Sequence, residues 1–227
     1  NGLGSNTSVQ DSYNLAWKIA AVLQGRAGPG LLDTYTAERA PVARQIVVRA
    51  NTSAREFGAL FTALGLDTAA DAEQMRARLE ERKDDTPEGA AKRAAVREAM
   101  ALKNYEFNAH GVELGQFYDP AVSAAVVGDG TSRRAPTRDP ELYYEPSTDP
   151  GVRLPHAWVG DGMRKLSTHD LVGYDGFTLL TGVTGEPWAA AAHKAAEVLG
   201  VPVEPVVIGP GRAVTDLYFD WAELCGV

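Results

Sequence analysis

Two short apolar runs separated by a helical stretch constrain the fold of this chain more than any other feature. Phe177-Thr-Leu-Leu-Thr-Gly-Val183 has the length and β-branched content of a buried strand. Pro187 then opens about a dozen helix-forming residues that stop at Gly200, and Val203-Glu-Pro-Val-Val-Ile208 is a second apolar run. Two strands running the same way need a crossover of this size between them, so the pattern predicts a βαβ unit with a parallel pair. Pro205, which has no N–H to give, is expected to interrupt the second strand. The chain is therefore α/β, with a small α/β domain placed at residues 151–227.

The first half repeats at helical spacing instead. Val9, Tyr13, Trp17, Ala20 and Leu23 fall on one face of a helix read at 7–24. Thr7 and Gln10 form a capping-box pair at its start, and Gly25 suits its C-terminal cap. After Gly28-Pro29-Gly30 a second helix runs through Arg39, and Pro41 is expected to open a third, towards Phe61. Residues 71–103 read as two solvated helices with a break near Asp85, the second starting at Thr86-Pro87. Residues 1–107 thus form a helical region, and 108–150, punctuated by Pro120, Pro136, Pro140, Pro146 and Pro150, a linker with short strands.

Composition removes several function classes. A net charge of −8 over 227 residues disfavours nucleic acid and anionic membrane surfaces, which reward basic patches. No apolar run reaches the roughly 18 residues of a membrane span, and no signal peptide opens the chain. The lone Cys225 allows neither an internal disulfide nor a zinc thiolate cluster, which fits a cytoplasmic location. His110, His156, His169 and His193 lack metal-ligand spacing, so no metal site is expected. No local signature of a catalytic triad is present, and no catalytic residue is assigned. The chain opens without Met, on a glycine-rich loop, and an upstream segment is expected.

That loop, Asn1-Gly2-Leu3-Gly4-Ser5-Asn6, is the strongest candidate site. Its glycines let backbone approach a ligand with no Cβ in the way. The helix start behind it offers N–H groups and the positive end of the macrodipole to an oxyanion or a carbonyl. Taken alone, it reads first as a turn that merely starts a helix. The residues downstream reverse that order. Gly2-x-Gly4-x-Asn6 is followed by Asp11, by Asn14-Leu15-Ala16-Trp17-Lys18, and by Tyr35-x-x-Glu38-Arg39-x-Pro41. Further on stand His110-Gly111, Glu141-Leu142-Tyr143, Pro150-Gly151-x-Arg153-Leu154-Pro155-His156 and Asp216-Leu217-Tyr218.

In this order and spacing the chain resembles the p-hydroxybenzoate-hydroxylase-type FAD-dependent aromatic monooxygenases, most closely their phenol- and 2,4-dichlorophenol-hydroxylating branch. The resemblance implies the C-terminal part of an FAD- and NAD(P)H-dependent enzyme that uses O2, through a flavin C4a-hydroperoxide, to hydroxylate a phenolic substrate. It implies that Gly2, Leu3, Gly4, Ser5 and Asn6 contact the flavin, with Gly4, Ser5 and Asn6 against its pyrimidine side. It also implies that residues 1–107 complete a Rossmann-like FAD-binding region and that 151–227 are a thioredoxin-like domain, possibly truncated, lacking C-x-x-C and serving structure or a homodimer. The family's N-terminal G-x-G-x-x-G, D-G and G-D motifs are not in this sequence, so the chain supplies one wall of the flavin site. Two alternatives stand beside this reading: a polyketide-tailoring aromatic hydroxylase, and a non-catalytic thioredoxin-like interaction module. Glu38 and Arg39 are read as ion-pair formers rather than catalysts.

Overall fold

A computed structural model of the chain describes residues 4–131 and 133–226. These fall into two compact units. Residues 4–14, 36–116 and 136–144 form the first; 15–35, 117–135 and 145–226 form the second.

The first unit is helical. It holds the start of α1 (Gly4–Leu23), most of α2 (Thr34–Leu64), α3 (Ala72–Glu80), α4 (Pro87–Leu102), α5 (Asn104–Phe107) and α6 (His110–Leu114). The break near Asp85 forms as the sequence predicts. Asp71 caps α3 through the amides of Glu73 and Gln74, and Thr86 caps α4 through Gly89 with Pro87 in the first turn. Two helix boundaries differ from expectation. Helix α1 begins at Gly4, not Thr7, so the Thr7–Gln10 capping box does not close; the Gln10 side chain instead accepts from Arg39 and Gln116. Pro41 does not open a new helix but lies inside α2, which runs unbroken for 31 residues. Pro41 is solvent-exposed, so its ring and its missing bond to Ala37 fall on the outer side. Thr34, Glu38, Arg39, Val42 and Arg49 bury the inner face and hold the helix through the defect.

The inner face of this unit is held by paired charges as much as by apolar contact. Lys103, 4% exposed, donates to the Ser53 carbonyl at 2.9 Å, pairs with Glu106 at 2.5 Å and stands over the Phe57 ring. Helix α6 pins the 136–144 segment: the Val112 amide donates to the Glu141 carbonyl at 3.2 Å. The backbone approach there is so close that a Cβ on Gly111 would sit 2.0 Å from the Pro140 carbonyl oxygen. On α1 the predicted apolar stripe forms, and it faces outward: Val9 and Tyr13 are each 68% exposed and Leu23 81%.

The second unit is α/β. Strands β1 (Trp158–Asp161), β2 (Arg164–Ser167) and β5 (Val214–Asp216) make an antiparallel sheet in the order β2-β1-β5, with Val159 opposite Leu166 and Asp216. Strands β3 (Phe177–Thr181) and β4 (Val203–Val207) pair in parallel, with α7 (Glu186–Leu199) between them in sequence, as the strand–helix–strand pattern requires. Gly200, at φ 64°, closes α7 in the left-handed conformation. Pro205 does not interrupt β4. It stands opposite Leu179, and since Ile208 donates to Thr181 on the β3 side, alternation turns the ring nitrogen of Pro205 to the outer edge, where no ladder bond is needed. The core gathers Ala157, Val159, Ile208, Val214 and Trp221, the last on α8 (Asp220–Cys225). Thr168, fully buried, ties the sheet entry by donating to the Pro155 carbonyl and accepting from the Ala157 amide. In place of the short strands expected before residue 150, the described chain has helix α6 and a single bridge, Phe117 to Val152. The many prolines remove the donors a ladder would need. No helix among the described residues is long and apolar enough to cross a membrane.

Candidate functional site

Gly4, Ser5 and Asn6 form the exposed first turn of α1. Asn1, Gly2 and Leu3 lie outside the described residues. Amides in a first helical turn have no acceptor within the helix, and the turn carries no acidic side chain to occupy its positive end. Ser8 Oγ donates to the Gly4 carbonyl at 2.9 Å and Ser12 Oγ to that of Ser8 at 2.8 Å, so these hydroxyls turn back on the helix rather than towards its first amides. A Cβ on Gly4 would meet nothing within 4 Å. The tip therefore offers bare backbone, N–H donors and partial positive charge to a flat group with an electron-rich edge, which fits the pyrimidine end of a flavin ring.

What aims this helix is a polar lock on its inner side. Asp11 and Asn14, three residues apart, share one face of α1 and meet Glu38 and Arg39 of α2. Arg39, 3% exposed, donates through Nε to Asp11 Oδ1 at 2.7 Å, through Nη1 to Gln116 at 3.0 Å and through Nη2 to Gln10 at 3.1 Å. Asn14 Nδ2 donates to Glu38 Oε2 at 2.6 Å. The expectation of ion pairing holds for Arg39, whose partner Asp11 is on another helix, while Glu38 accepts from the Asn14 amide. In the second unit the motif's Lys18, fully buried, donates to Thr34 Oγ1 at 2.7 Å. The D-x-x-N and E-R motifs thus orient the helix rather than react.

A cavity of about 490 Å³ adjoins the same turn within the first unit, with Asn6, Thr7 and Gln10 on one wall. The opposite walls come from Ile46, Arg49 and Ala50 on α2 and from Tyr105 to Gln116. Arg49 pairs with Glu56 at 2.8 Å and Glu141 at 3.2 Å, and lies over the Tyr105 ring. Burial works against its charge, but the two carboxylates outweigh this and raise its pKa. Tyr105 donates to Asp139 at 2.6 Å. That bond first, then burial, raises the tyrosine pKa, and the same bond with the Glu141 and Leu142 amides lowers that of Asp139. Reading the sequence alone missed this cavity. Its walls come from separate helices, and Asn6, Thr7, Gln10 and the motif that starts at His110 were the parts of it that the sequence singled out.

Of the residues set aside, His156 Nδ1 shares a hydrogen bond with Ser167 Oγ and His169 Nε2 donates to the Leu154 carbonyl. Among the described residues no group of three or more His, Cys, Asp or Glu is placed to hold a metal.

Comparison with known proteins shows what the chain is similar to. Residues 1–50 match the FAD binding domain family. Over 220 residues the chain is 56% identical to a phenol 2-monooxygenase of Pseudomonas sp., covering 97% of this chain and 36% of that protein. Over 224 residues it is 50% identical to a 2,4-dichlorophenol 6-monooxygenase of Delftia acidovorans, covering 99% and 38%. It superposes on the flavin-dependent monooxygenase PieE, crystallised with FAD and substrate, with a TM-score of 0.90 and 48% identity over 98% of this chain and 38% of that one. Over nearly its whole length the chain is similar to part of the FAD-dependent aromatic monooxygenases. Within them it is similar to the phenol and 2,4-dichlorophenol monooxygenases, of whose length it spans 36–38%.

Proposed function

We propose that this chain is the C-terminal part of an FAD- and NAD(P)H-dependent monooxygenase that inserts one oxygen of O2 into a phenolic ring. The observation that carries the reading is the 56% identity to a phenol 2-monooxygenase over 97% of this chain. FAD, when bound, supplies the oxygen activation. The backbone of Gly4, Ser5 and Asn6, with Gly2 and Leu3 ahead of them, faces its pyrimidine side. The fixed amides and dipole of α1 stabilise negative charge at that edge without reorganising, and the Arg39–Asp11 lock keeps them aimed. An upstream segment of the protein supplies the remaining walls, including the phosphate contacts.

In this reading residues 1–107 complete the flavin-binding region, 108–150 connect, and 151–227 form a thioredoxin-like domain. The parallel β3–α7–β4 unit supports the last assignment. With Cys225 as the sole cysteine, that domain exchanges no internal disulfide and serves structure or a homodimer contact. The protein works in the cytoplasm, consistent with its acidity and single free thiol. The test is NAD(P)H oxidation by the full-length protein over a panel of phenols with product analysis. Ring-hydroxylated product in proportion to NAD(P)H consumed is expected; consumption without any hydroxylated product would sink the reading.

A further inference from the structure

The parallel pair β3–β4 has two outer edges, and only one of them is protected. The Phe177 amide donates to the Pro202 carbonyl at 2.9 Å and the Ile208 amide to the Thr181 carbonyl at 2.8 Å. Phe177, Leu179 and Thr181 therefore turn their backbone towards β4, and by alternation Thr178 and Leu180 turn theirs the other way. Among the described residues no strand pairs with that side of β3. On β4 the outer edge carries Pro205, which has no N–H to give and blunts it against further pairing. Strand β3, Phe-Thr-Leu-Leu-Thr, has neither proline nor charge to do the same. Its free N–H and C=O groups repeat every two residues, about 6.6 Å, which is the spacing of another extended backbone.

The edge opens onto a slot of about 520 Å³ within the second unit. Leu154, Val172, Leu180 and Trp221 give it apolar walls, and Leu154 and Leu180 already pack against the core. A compact small molecule fills such a space without answering a row of backbone donors and acceptors, whose burial unpaired is costly. An added strand does both. We propose that this edge receives an extended strand from the polypeptide of the same protein outside residues 1–227, which pairs with Thr178 and Leu180 and lays apolar side chains over Leu154 and Leu180. The chain spans 36–38% of the length of its phenol and 2,4-dichlorophenol monooxygenase relatives, so a protein of their size has ample chain to supply the strand. A segment of the same polypeptide is held at an effective concentration of the order of millimolar, which a second copy reaches only in concentrated solution. Internal cover also removes an edge that invites pairing between molecules. The proposal needs a full-length protein longer than these residues, and it stands whether or not the flavin reading does.

The experiment is hydrogen–deuterium exchange with mass spectrometry on the full-length protein, at two concentrations about tenfold apart, with the molar mass measured by light scattering at each. The amides of Thr178 and Leu180 should exchange at least about a hundredfold more slowly than in unstructured chain, equally at both concentrations. Fast exchange of these two amides overturns the proposal. Protection that grows with concentration while the mass doubles also overturns it, and gives the edge to a second copy. Thr178→Pro removes one donor from this edge and leaves the β3–β4 ladder intact. In the full-length protein it should speed exchange at Leu180 about fivefold, the scale of one lost hydrogen bond. An edge that faces only water tolerates proline, so unchanged exchange in the folded variant overturns the proposal as well. If the variant does not fold, the wild-type exchange decides.

Discussion

Replacing Arg39 by Ala removes the centre of the lock that aims α1. The guanidinium is 3% exposed and its side-chain hydrogen bonds include those to the Asp11 carboxylate, Gln116 and Gln10. Removing one member of a fully buried ion pair costs about 3–5 kcal/mol, because the partner keeps its desolvation without its counter-charge. Asp11 is 27% exposed, so water recovers part of that loss, while Gln10 and Gln116 keep their own 2.9 Å bond. The expected cost is therefore about 2–4 kcal/mol. Urea denaturation followed by circular dichroism should show the midpoint falling by roughly 1–2 M at unchanged slope. Arg39→Lys keeps the charge but not the planar fork that reaches three acceptors, and should recover part of the loss. The deficit should persist at high salt, since a buried pair is poorly screened. A cost below about 1 kcal/mol for Arg39→Ala would refute the view that this lock holds the helix.

Three further outcomes follow from the same structure. Pro41→Ala restores a backbone donor inside α2 on its exposed side and should stabilise the chain by about 1–3 kcal/mol, read as a rise in Tm. Gly111→Ala drives a Cβ into the Pro140 carbonyl and should cost about 1–3 kcal/mol or more, with loosening of residues 136–144 visible as faster amide exchange. Asp139 has its pKa lowered by the Tyr105 hydroxyl, so its contribution is present above the ordinary aspartate range and lost as pH falls through the lower folded value. Asp139→Asn should remove that acid-side slope from a stability-versus-pH curve.

Much of this was legible in the sequence because the signals were local. The capped start at Thr86-Pro87, the stop at Gly200 and the strand–helix–strand run at 177–208 each state their own structure within a few residues. Glu38 and Arg39 announced ion pairing, though not its partner, and nothing local to Asp11 and Asn14, quoted within a motif, said that they face those two residues. The prolines misled in two directions. Pro41 looked like a helix start and Pro205 like a strand break, yet each turns its missing donor outward, a fact set by tertiary packing on the opposite side. Strands β1, β2 and β5, of three or four residues each, are too short for periodicity to register. The cavity was illegible for a different reason: Asn6, Ile46, Phe107 and Val112 become neighbours only once the helices fold back on one another.

The central claim, that the open tip of α1 is a flavin wall, is tested most directly by FAD affinity in the full-length protein with and without Gly4→Ala. A Cβ at this position meets nothing of the other described residues within 4 Å, so folding should be little affected. If a flavin ring lies against that backbone, the added methyl intrudes on it, and the dissociation constant should rise about tenfold, with unchanged thermal stability of the apoprotein. Equal FAD affinity in the two proteins would contradict the account.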